Sequence, residues 1–332
     1  MIGEALVDIV ESPRGGRTQH PGGSPANVAL TAARLGDDVD LLTWLGDDEL
    51  GRTVTNHLAR SGVVLHPQSF GATRTSTALA RVDDDGVAAY EFDLDWTLAP
   101  VRVDERVTVV HTGSIAAVSD TDPPGALLEL LGQARAVATV TYDPNVRPAV
   151  MGSARAVRTK VEALVGVSDI VKVSDEDVAW LCPGEDPAEV VAGWVAEHGV
   201  ALGIVTRGEV GPLALLAGGQ RVEVRAPQVV VADTVGAGDS FMGALIHDLD
   251  RRGLTGAHSR GRLRSISTDE VVEVLAFAAQ VAAVTVSRAG ANPPTLAELA
   301  VSPPATPGAA GTVTRPGAFE PQVGDEPVIG GA

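Results

Sequence analysis

Cysteine and lysine are scarce in this chain of 332 residues, and each scarcity excludes a class of structure. The single cysteine, Cys182, excludes an intramolecular disulfide framework and a zinc site built from several cysteines. Lysine occurs only at Lys160 and Lys172, so arginine carries almost all of the positive charge. No apolar run reaches the length of a membrane span, and no basic-then-apolar signal precedes residue 20. We therefore expect a cytoplasmic protein without a membrane partner.

The chain has 25 basic and 43 acidic residues, which gives a formal net charge of −18. Such a charge disfavours binding to nucleic acid or to an anionic membrane surface. It still permits an anionic small ligand, since a local group of N–H donors can bind an anion within a negative overall field. Aromatic residues make up only 3% of the chain, whereas Ala, Val and Gly are abundant. This composition suits helices packed on a buried parallel sheet.

Strand and helix patterns alternate along most of the chain, which predicts an α/β fold with helices on both faces of a mostly parallel sheet. Ligands then bind at the carboxyl ends of the strands. Strands are predicted at 1–10, 40–45, 107–111, 137–142, 169–173, 201–205 and 213–216. Helices are predicted to open at Ser24, as an N-cap before Pro25, and to cover 125–134, 154–165, 175–181, 188–198, 238–251 and 268–287.

Three segments depart from this alternation. Residues 73–92 alternate in polarity around the turn 83–86, which predicts an inserted antiparallel hairpin. Residues 255–267 form a polar, basic segment that we expect to be a loop. From residue 301 the chain is rich in Pro and Gly without periodicity, so 1–300 is expected to be one domain and 301–332 a disordered tail.

The most informative stretch is 233–244, with the sequence DTVGAGDSFMGA. The run Val229 to Val231 before it reads as a strand, and an apolar helical pattern follows it. Small residues let the backbone approach a ligand, and the unpaired N–H groups of a helix start attract anions. A carboxylate repels phosphate, so Asp239 beside such a site suggests a base for a hydroxyl that becomes phosphorylated. The alternative is a turn whose glycines serve packing alone.

This stretch closely resembles the C-terminal signature of the ribokinase-like (PfkB) carbohydrate kinases. Residues 22–29 with 34–36 resemble their N-terminal signature, and the resemblance spans roughly residues 2–300. Further segments resemble the fructokinase-like branch, namely 3–8, 45–51, 143–148 and 171–177. The resemblance implies a three-layer αβα fold with a mostly parallel central sheet and a small β-sheet lid. Its lid strands would lie at about 11–20 and 73–96, exclude water from the sugar and, in some relatives, form a homodimer.

The resemblance also implies roles for individual residues of the sugar and phosphoryl sites. Asp239 corresponds to the catalytic base, and the N–H groups of Gly236, Ala237 and Gly238 correspond to the anion hole. The residues expected to bind the sugar are Asp8, Gly22, Gly23, Asn27, Asn145 and Arg147. Helix and strand capping remains the alternative for Asp8 and Asn27, and Arg147 suits either a phosphate or a sugar carboxylate.

ATP and Mg²⁺ are the implied cofactors, with K⁺ or Na⁺ as a further possibility. The nucleotide side is expected at Lys172, Ser174, Thr206, Gly208, Gly211 and Gly238. Glu176 or Asp177 would take part in magnesium binding. Alternatively, these acids only form an acidic helix N-terminus, which the helix dipole favours. Lys172 would reach the phosphates or be a surface charge. Asp233 and the Val235 carbonyl, joined by residues 287–291, would hold the monovalent cation.

These expectations favour an ATP-dependent sugar kinase with fructose as the substrate. The alternatives are a 2-keto-3-deoxygluconate kinase or another sugar kinase. A hypothesis from another class is a non-catalytic regulator that binds a sugar or a nucleotide on the same fold. A Rossmann oxidoreductase is disfavoured, since no Gly-rich loop follows the first strand at dinucleotide spacing.

Overall fold

The computed structural model describes residues 1–12, 16–82, 88–119, 125–301 and 312–314, and its elements follow the predicted alternation. The strands are β1 Leu6–Glu11, β2 Arg17–Gly22, β3 Asp40–Leu41, β4 Leu45–Gly46, β5 Val64–Leu65, β6 Phe70–Ala72, β7 Thr77–Val82, β8 Ala88–Asp93, β9 Val109–Gly113, β10 Thr139–Asp143, β11 Ile170–Ser174, β12 Leu202–Thr206, β13 Leu213–Leu216, β14 Arg221–Glu223 and β15 Thr312–Thr314. The helices are α1 Ser24–Arg34, α2 Glu49–Ala59, α3 Ser114–Val118, α4 Ala126–Ala134, α5 Pro148–Met151, α6 Ala154–Val165, α7 Asp175–Leu181, α8 Pro187–His198, α9 Ala237–Arg251, α10 Arg260–Arg264, α11 Thr268–Val286 and α12 Leu296–Val301.

The central sheet has the order β15-β14-β13-β12-β11-β10-β9. Strands β9 to β12 are parallel to their neighbours, whereas β13 to β15 continue the sheet in antiparallel pairs. Ile2 extends it beyond β9, because it bridges Thr112 on one side and Leu42 on the other in parallel. The carboxyl ends of the parallel strands therefore meet at one edge of the sheet.

Alternate side chains of the strands point to two apolar layers. Val171 of β11 faces a layer that contains α4, α6 and α8, and its neighbour Ile170 faces α1, α9 and α11. The same alternation separates Ile204 from Val205 on β12. Burial of a large aliphatic side chain contributes roughly 1.5–3 kcal/mol, so both layers hold the helices to the sheet. This arrangement confirms the predicted αβα fold.

A second sheet of four strands has the order β2-β1-β7-β8. The antiparallel pair β7–β8 confirms the predicted hairpin, although its turn at 83–87 lies outside the described residues. The prediction of one strand over 1–10 was wrong, because the chain leaves the central sheet after Ile2 and enters the second sheet at Leu6. Gly3 makes this change of direction with a φ of +150° and packs tightly against Pro25.

The strand predicted over Val229 to Val231 was also wrong. Val230 is 88% exposed, and the segment between β14 and α9 pairs with no strand among the described residues. The N–H groups of Ala232 and Asp233 instead donate to the carbonyl of Val286, at the end of α11. An apolar, β-branched run is thus tied to a helix end, and its side chains face outward.

Two other expectations need revision. The 255–267 segment contains α10, and Arg260 from this helix forms an ion pair of 2.8 Å with the buried Asp169. Within the expected tail, residues 312–314 form β15 and pair with β14, while 302–311 and 315–332 lie outside the described residues. None of the helices in the described ranges combines the length and the apolarity needed to cross a bilayer.

The contact between α1 and α9 gives a direct test of the packing. A Cβ atom on Gly243 would lie 2.6 Å from Cβ of Thr31 and 2.9 Å from the Val28 carbonyl oxygen, so we expect Gly243→Ala to destabilise the fold by about 1–3 kcal/mol. Gly193→Ala on α8 is the matched control, because no atom lies within 4 Å of its Cβ position. It should be neutral or stabilising. Urea denaturation measures both, and equal stability of the two variants would contradict the packing.

Candidate active site

The turn before α9 presents the start of a long helix at the carboxyl edge of the central sheet. Gly236 is the N-cap with a φ of 75°, and a Cβ there would lie 2.6 Å from Cβ of Ala291. The first N–H groups of a helix have no partner within it and carry its positive dipole end. Gly236, Ala237 and Gly238, the residues of the expected anion-binding turn, thus lie at this helix start, where the Ala237 N–H makes a long bond of 3.3 Å to the Thr234 carbonyl.

Asp239 lies in the first turn of α9, is only 5% exposed, and accepts three side-chain hydrogen bonds. Its Oδ1 accepts from the Ser24 hydroxyl at 2.7 Å and from Asn145 Nδ2 at 3.0 Å, and its Oδ2 accepts from Asn27 Nδ2 at 2.8 Å. The structure therefore brings together Asp239, Asn27 and Asn145 from three distant parts of the sequence.

Ser24 does not cap α1 as the sequence suggests. The N-cap is Gly23, which has a φ of 103° and makes no side-chain cap bond. The Ser24 hydroxyl donates to Asp239 instead, since a hydrogen bond to a buried carboxylate is roughly twice as strong as a neutral one. Gly23 itself leaves no room for a side chain, because a Cβ would lie 2.5 Å from the Glu4 carbonyl oxygen.

Strained backbone follows two strands of the central sheet, and the strained residue after β10 contacts this carboxylate. Among the described residues, Ser114 (φ 56°) and Asn145 (φ 36°) alone have a positive φ without being glycine, and they follow β9 and β10. Such conformations cost about 1–3 kcal/mol each and persist where the surroundings impose them. Arg147 supports the conformation of Asn145, because its Nη1 donates to Oδ1 of Asn145 at 2.6 Å and to the Val146 carbonyl at 3.0 Å. The Asn145 amide is thereby aimed at Asp239.

Lys172 is buried beneath the anion-binding turn, so it is not a surface charge. Its Nζ donates to Oδ2 of Asp143 at 2.8 Å, and the two side chains are 3% and 0% exposed. A Cβ on Gly238 would lie 2.8 Å from this Nζ. Burial alone would lower the pKa of Lys172, but Asp143, Asp177 and Asp239 outweigh it and raise the pKa. The ammonium group therefore stays charged directly under the backbone of Gly238.

Two carboxyl groups of the site, on Asp143 and Asp8, have raised pKa values. Burial raises the pKa of Asp143 to about 6, against the lowering effect of Lys172. Burial also raises the pKa of Asp8, on β1 of the second sheet, to about 6, with Arg147 and His20 opposing and Asp239 adding to the rise. A Cβ on Gly22 would lie 2.2 Å from Oδ2 of Asp8, so a side chain there would displace this carboxyl group. The second sheet thus places the Asp8 carboxyl group within electrostatic reach of Asp239.

The expected nucleotide and metal residues lie at the ends of β11 and β12. Asp177 and Ser174 form a capping box on α7, and both Asp177 oxygens accept backbone N–H groups, from Val146 at 2.8 Å and Ser174 at 3.1 Å. Glu176 is exposed, and the described residues contain no group of three or more potential metal ligands. Thr206 ends β12, Gly208 begins the turn after it, and Gly211 packs against the Val224 carbonyl.

Asp233 links the turn before α9 to the segment after α11. Its Oδ1 accepts from the Val235 N–H at 3.0 Å, and its Oδ2 accepts from the Gly290 N–H at 2.9 Å. This is the place where the resemblance implies a monovalent cation, and the carboxylate fixes the backbone of both segments.

Sequence reasoning assigned no role to Glu4. Its side chain is buried, and Oε2 accepts from the Ala116 N–H at the start of α3 at 2.9 Å. Burial raises the pKa of Glu4 to about 7, although the Ala116 N–H, Ser114 and Arg147 lower it. The signal available in the sequence was an acid within the apolar run 2–7. The role of Glu4 could not be inferred from this signal, because its partner Ala116 lies 112 residues away.

The chain matches the pfkB family of carbohydrate kinases over residues 2–298. A fructokinase of Klebsiella pneumoniae is 31% identical over 261 residues, which are 76% of this chain and 85% of that protein. The fructokinase of Xylella fastidiosa with bound ATP has a TM-score of 0.76 at 25% identity and covers 90% of this chain and 95% of its own. The fructokinase of Vibrio cholerae O395 with fructose, ADP and calcium bound has a TM-score of 0.73 at 25% identity, and covers 90% of this chain and 96% of its own.

The αβα core with its second, four-stranded sheet is the fold of a phosphotransferase that acts on a sugar hydroxyl. The chain belongs to the pfkB family of carbohydrate kinases.

The raised pKa of Glu4 predicts a specific pH dependence of stability. The folded protein keeps this proton up to about pH 7 and the unfolded chain only to about 4.5, so stability falls as pH rises between these values. Glu4→Gln keeps an acceptor for Ala116 and removes the titration. Its stability relative to wild type should therefore rise by about 3 kcal/mol from pH 4.5 to 7 in urea denaturation. The exposed Glu197→Gln is the control, and parallel curves for wild type and Glu4→Gln would refute the assignment.

Proposed function

We propose that this chain is an ATP-dependent fructokinase in which Asp239 is the catalytic base. The observation that carries the proposal is the buried Asp239 carboxylate, which is held by Ser24, Asn27 and Asn145 at the N-terminus of α9. These donors surround it with the short polar groups that bind a polyol. The sugar hydroxyl lies against this carboxylate and the γ-phosphate lies at the turn 236–238.

The reaction proceeds by displacement at phosphorus. The sugar hydroxyl gives its proton to Asp239, and its oxygen forms a bond to the γ-phosphorus of ATP. The bond from that phosphorus to the β–γ bridging oxygen breaks, and ADP leaves with the electron pair. The N–H groups of Gly236 to Gly238 stabilise the charge on the transferring group, and the buried Lys172 ammonium adds to their field from below.

Mg²⁺ is the proposed divalent cofactor and is bound mainly by ATP phosphates and water, as this ion prefers. The buried Oδ1 of Asp143 has no hydrogen-bond partner in the described part of the chain, so it suits a water of that shell. Glu176 and Asp177 stay the expected acids on this side, and Lys172, Ser174, Thr206, Gly208 and Gly211 stay the expected nucleotide residues. For K⁺ or Na⁺ we propose Asp233 and the Val235 carbonyl.

We propose that the four-stranded sheet closes over the sugar and excludes water, which competes with the sugar hydroxyl for the phosphoryl group. Asp8, Gly22 and Gly23 then contact the substrate from this side. The outer strands β2 and β8 leave two edges for pairing with a second copy, which supports dimerisation through the lid. Residues 1–300 act as one kinase domain in this proposal.

Removal of the base tests the mechanism. We expect Asp239→Asn to lower kcat for fructose-dependent ADP formation by about 10²–10⁴-fold, because the amide cannot take the proton. Asp269→Asn, in the first turn of α11, is the matched control and should retain wild-type activity. If wild type releases no ADP with any sugar, the chain is a binding regulator on this fold; if Asp239→Asn keeps full activity, the base is elsewhere.

The choice of sugar depends on charge. Arg147 is oriented by bonds from its Nη1 to oxygens of Asn145 and Val146, and the carboxyl groups of Asp8 and Asp239 would repel a sugar carboxylate, so the site favours an uncharged sugar over 2-keto-3-deoxygluconate. We expect kcat/KM for fructose to exceed that for 2-keto-3-deoxygluconate by at least about tenfold, since one unpaired buried charge costs more than 1.4 kcal/mol. An ADP-release assay with both sugars decides, and a preference for the acid would overturn the assignment of fructose.

A further inference from the structure

A basic cleft lies behind the anion-binding turn, away from the Asp239 carboxylate. The ends of α1 and α2 and the segment from residue 288 to 298 line an open surface depression of about 550 Å³. Three arginines line it, namely Arg34, Arg60 and Arg288, and Glu298 is the one acid among the described lining residues. Such a local excess of positive charge contrasts with the formal net charge of −18 for the whole chain.

Two of the arginines are positioned by the chain and still have donors to offer. Arg34 donates from Nε to Ser61 Oγ at 3.1 Å and from Nη1 to Asn292 Oδ1 and the Pro293 carbonyl, both at 2.6 Å. These bonds hold the guanidinium plane in place and leave its Nη2 donors. Arg288 pairs with Glu298 through one nitrogen, at 3.2 Å. A rigid guanidinium loses little entropy when it binds an anion bidentately.

Arg60 is the least engaged of the three. It follows the last residue of α2, and its side chain forms no hydrogen bond or ion pair with any residue in the part of the chain that the structure describes. Glu298 neutralises one of the three positive charges, because its Oε1 pairs with Arg288 while its Oε2 accepts from the Thr295 N–H at 2.7 Å. The cleft therefore carries an excess of two positive charges.

We propose that this cleft is a binding site for a phosphate-bearing small molecule, with Arg34, Arg60 and Arg288 as its anion ligands. A phosphate group offers three acceptor oxygens, which can accept from the guanidinium donors that line this depression. The volume exceeds that of a phosphate ion, which leaves room for a small organic group such as a sugar.

The lowered pKa of His57, which lies beside the cleft, agrees with a net positive charge there. Burial lowers the pKa of His57 on α2, and Arg34 and Arg60 lower it further. Burial likewise lowers the pKa of Arg34, and Arg288 adds to this effect while Glu298 opposes it. An anion bound between the arginines would reverse their effect on His57, which makes this histidine a reporter of the site.

The cleft shares a segment with the anion-binding turn. Asn292 binds Arg34 in the cleft, while Gly290 donates to Asp233 and Ala291 packs against Gly236. An anion bound to Arg288 would therefore lie on the segment 288–292, which also supports the start of α9. Binding in the cleft and the position of the turn are physically connected.

The pKa of His57, measured by proton NMR of the imidazole, tests the proposal with inorganic phosphate as the probe. His57→Gln assigns the resonance, and chloride at equal ionic strength is the reference. We expect phosphate to raise the pKa of His57 in a saturable manner, and Arg60→Ala to weaken the apparent affinity about tenfold. Arg60→Lys should retain part of this affinity, because it keeps the charge.

The exposed Arg155→Ala on α6 is the control and should bind phosphate like wild type. The proposal is overturned if the pKa of His57 is the same in phosphate and chloride, or if Arg60→Ala responds like wild type. Phosphate at the turn 236–238 does not produce the expected pattern, since Arg60 does not line that turn. The test is therefore independent of the proposed kinase activity.

Discussion

The buried Asp239 carboxylate and its three hydrogen bonds are the interaction on which the site depends. They join α9 to α1 through Ser24 and Asn27, and to the strained residue after β10 through Asn145. A hydrogen bond to a charged group contributes about 1.5–3 kcal/mol, and loss of the acceptor leaves each donor unsatisfied. The same three contacts therefore hold the two helices together and aim the carboxylate at the carboxyl edge of the sheet.

Positive and negative groups lie side by side in this acid-rich site. Asp8, Asp143 and Asp177 lie near Asp239; burial raises the pKa values of Asp8 and Asp143 to about 6, and repulsion from Asp239 adds to the rise. The N–H groups at the start of α9 and the ammonium group of Lys172, which is buried under Gly238, supply positive charge at the turn 236–238. In the proposed reaction this turn binds the phosphoryl group, and the carboxylates lie beside the sugar hydroxyl.

Sequence patterns within a single segment were sufficient to predict the parts of the site that this segment forms alone. The small residues at 236–238 and the acid at Asp239 require only a helix start, so their place was predictable. The partners of Ser24 and Lys172 were not predictable. The Ser24 hydroxyl suits an N-cap but donates to the Asp239 carboxylate 215 residues away, and Lys172 donates to Asp143 on the neighbouring strand. β-Strand propensity also gave a wrong prediction of a strand over Val229 to Val231, because tertiary contacts at the end of α11 decide the course of that segment.

The clearest measurement of the central claim is one distance in a crystal structure with fructose and a non-hydrolysable ATP analogue bound. We predict a fructose hydroxyl oxygen at about 2.6–3.2 Å from an Asp239 carboxylate oxygen, with the γ-phosphate of the analogue at the N–H groups of Gly236 to Gly238. A sugar whose hydroxyl groups all lie beyond hydrogen-bond reach of Asp239, with the phosphate bound away from this turn, would contradict the assignment of Asp239 as the base.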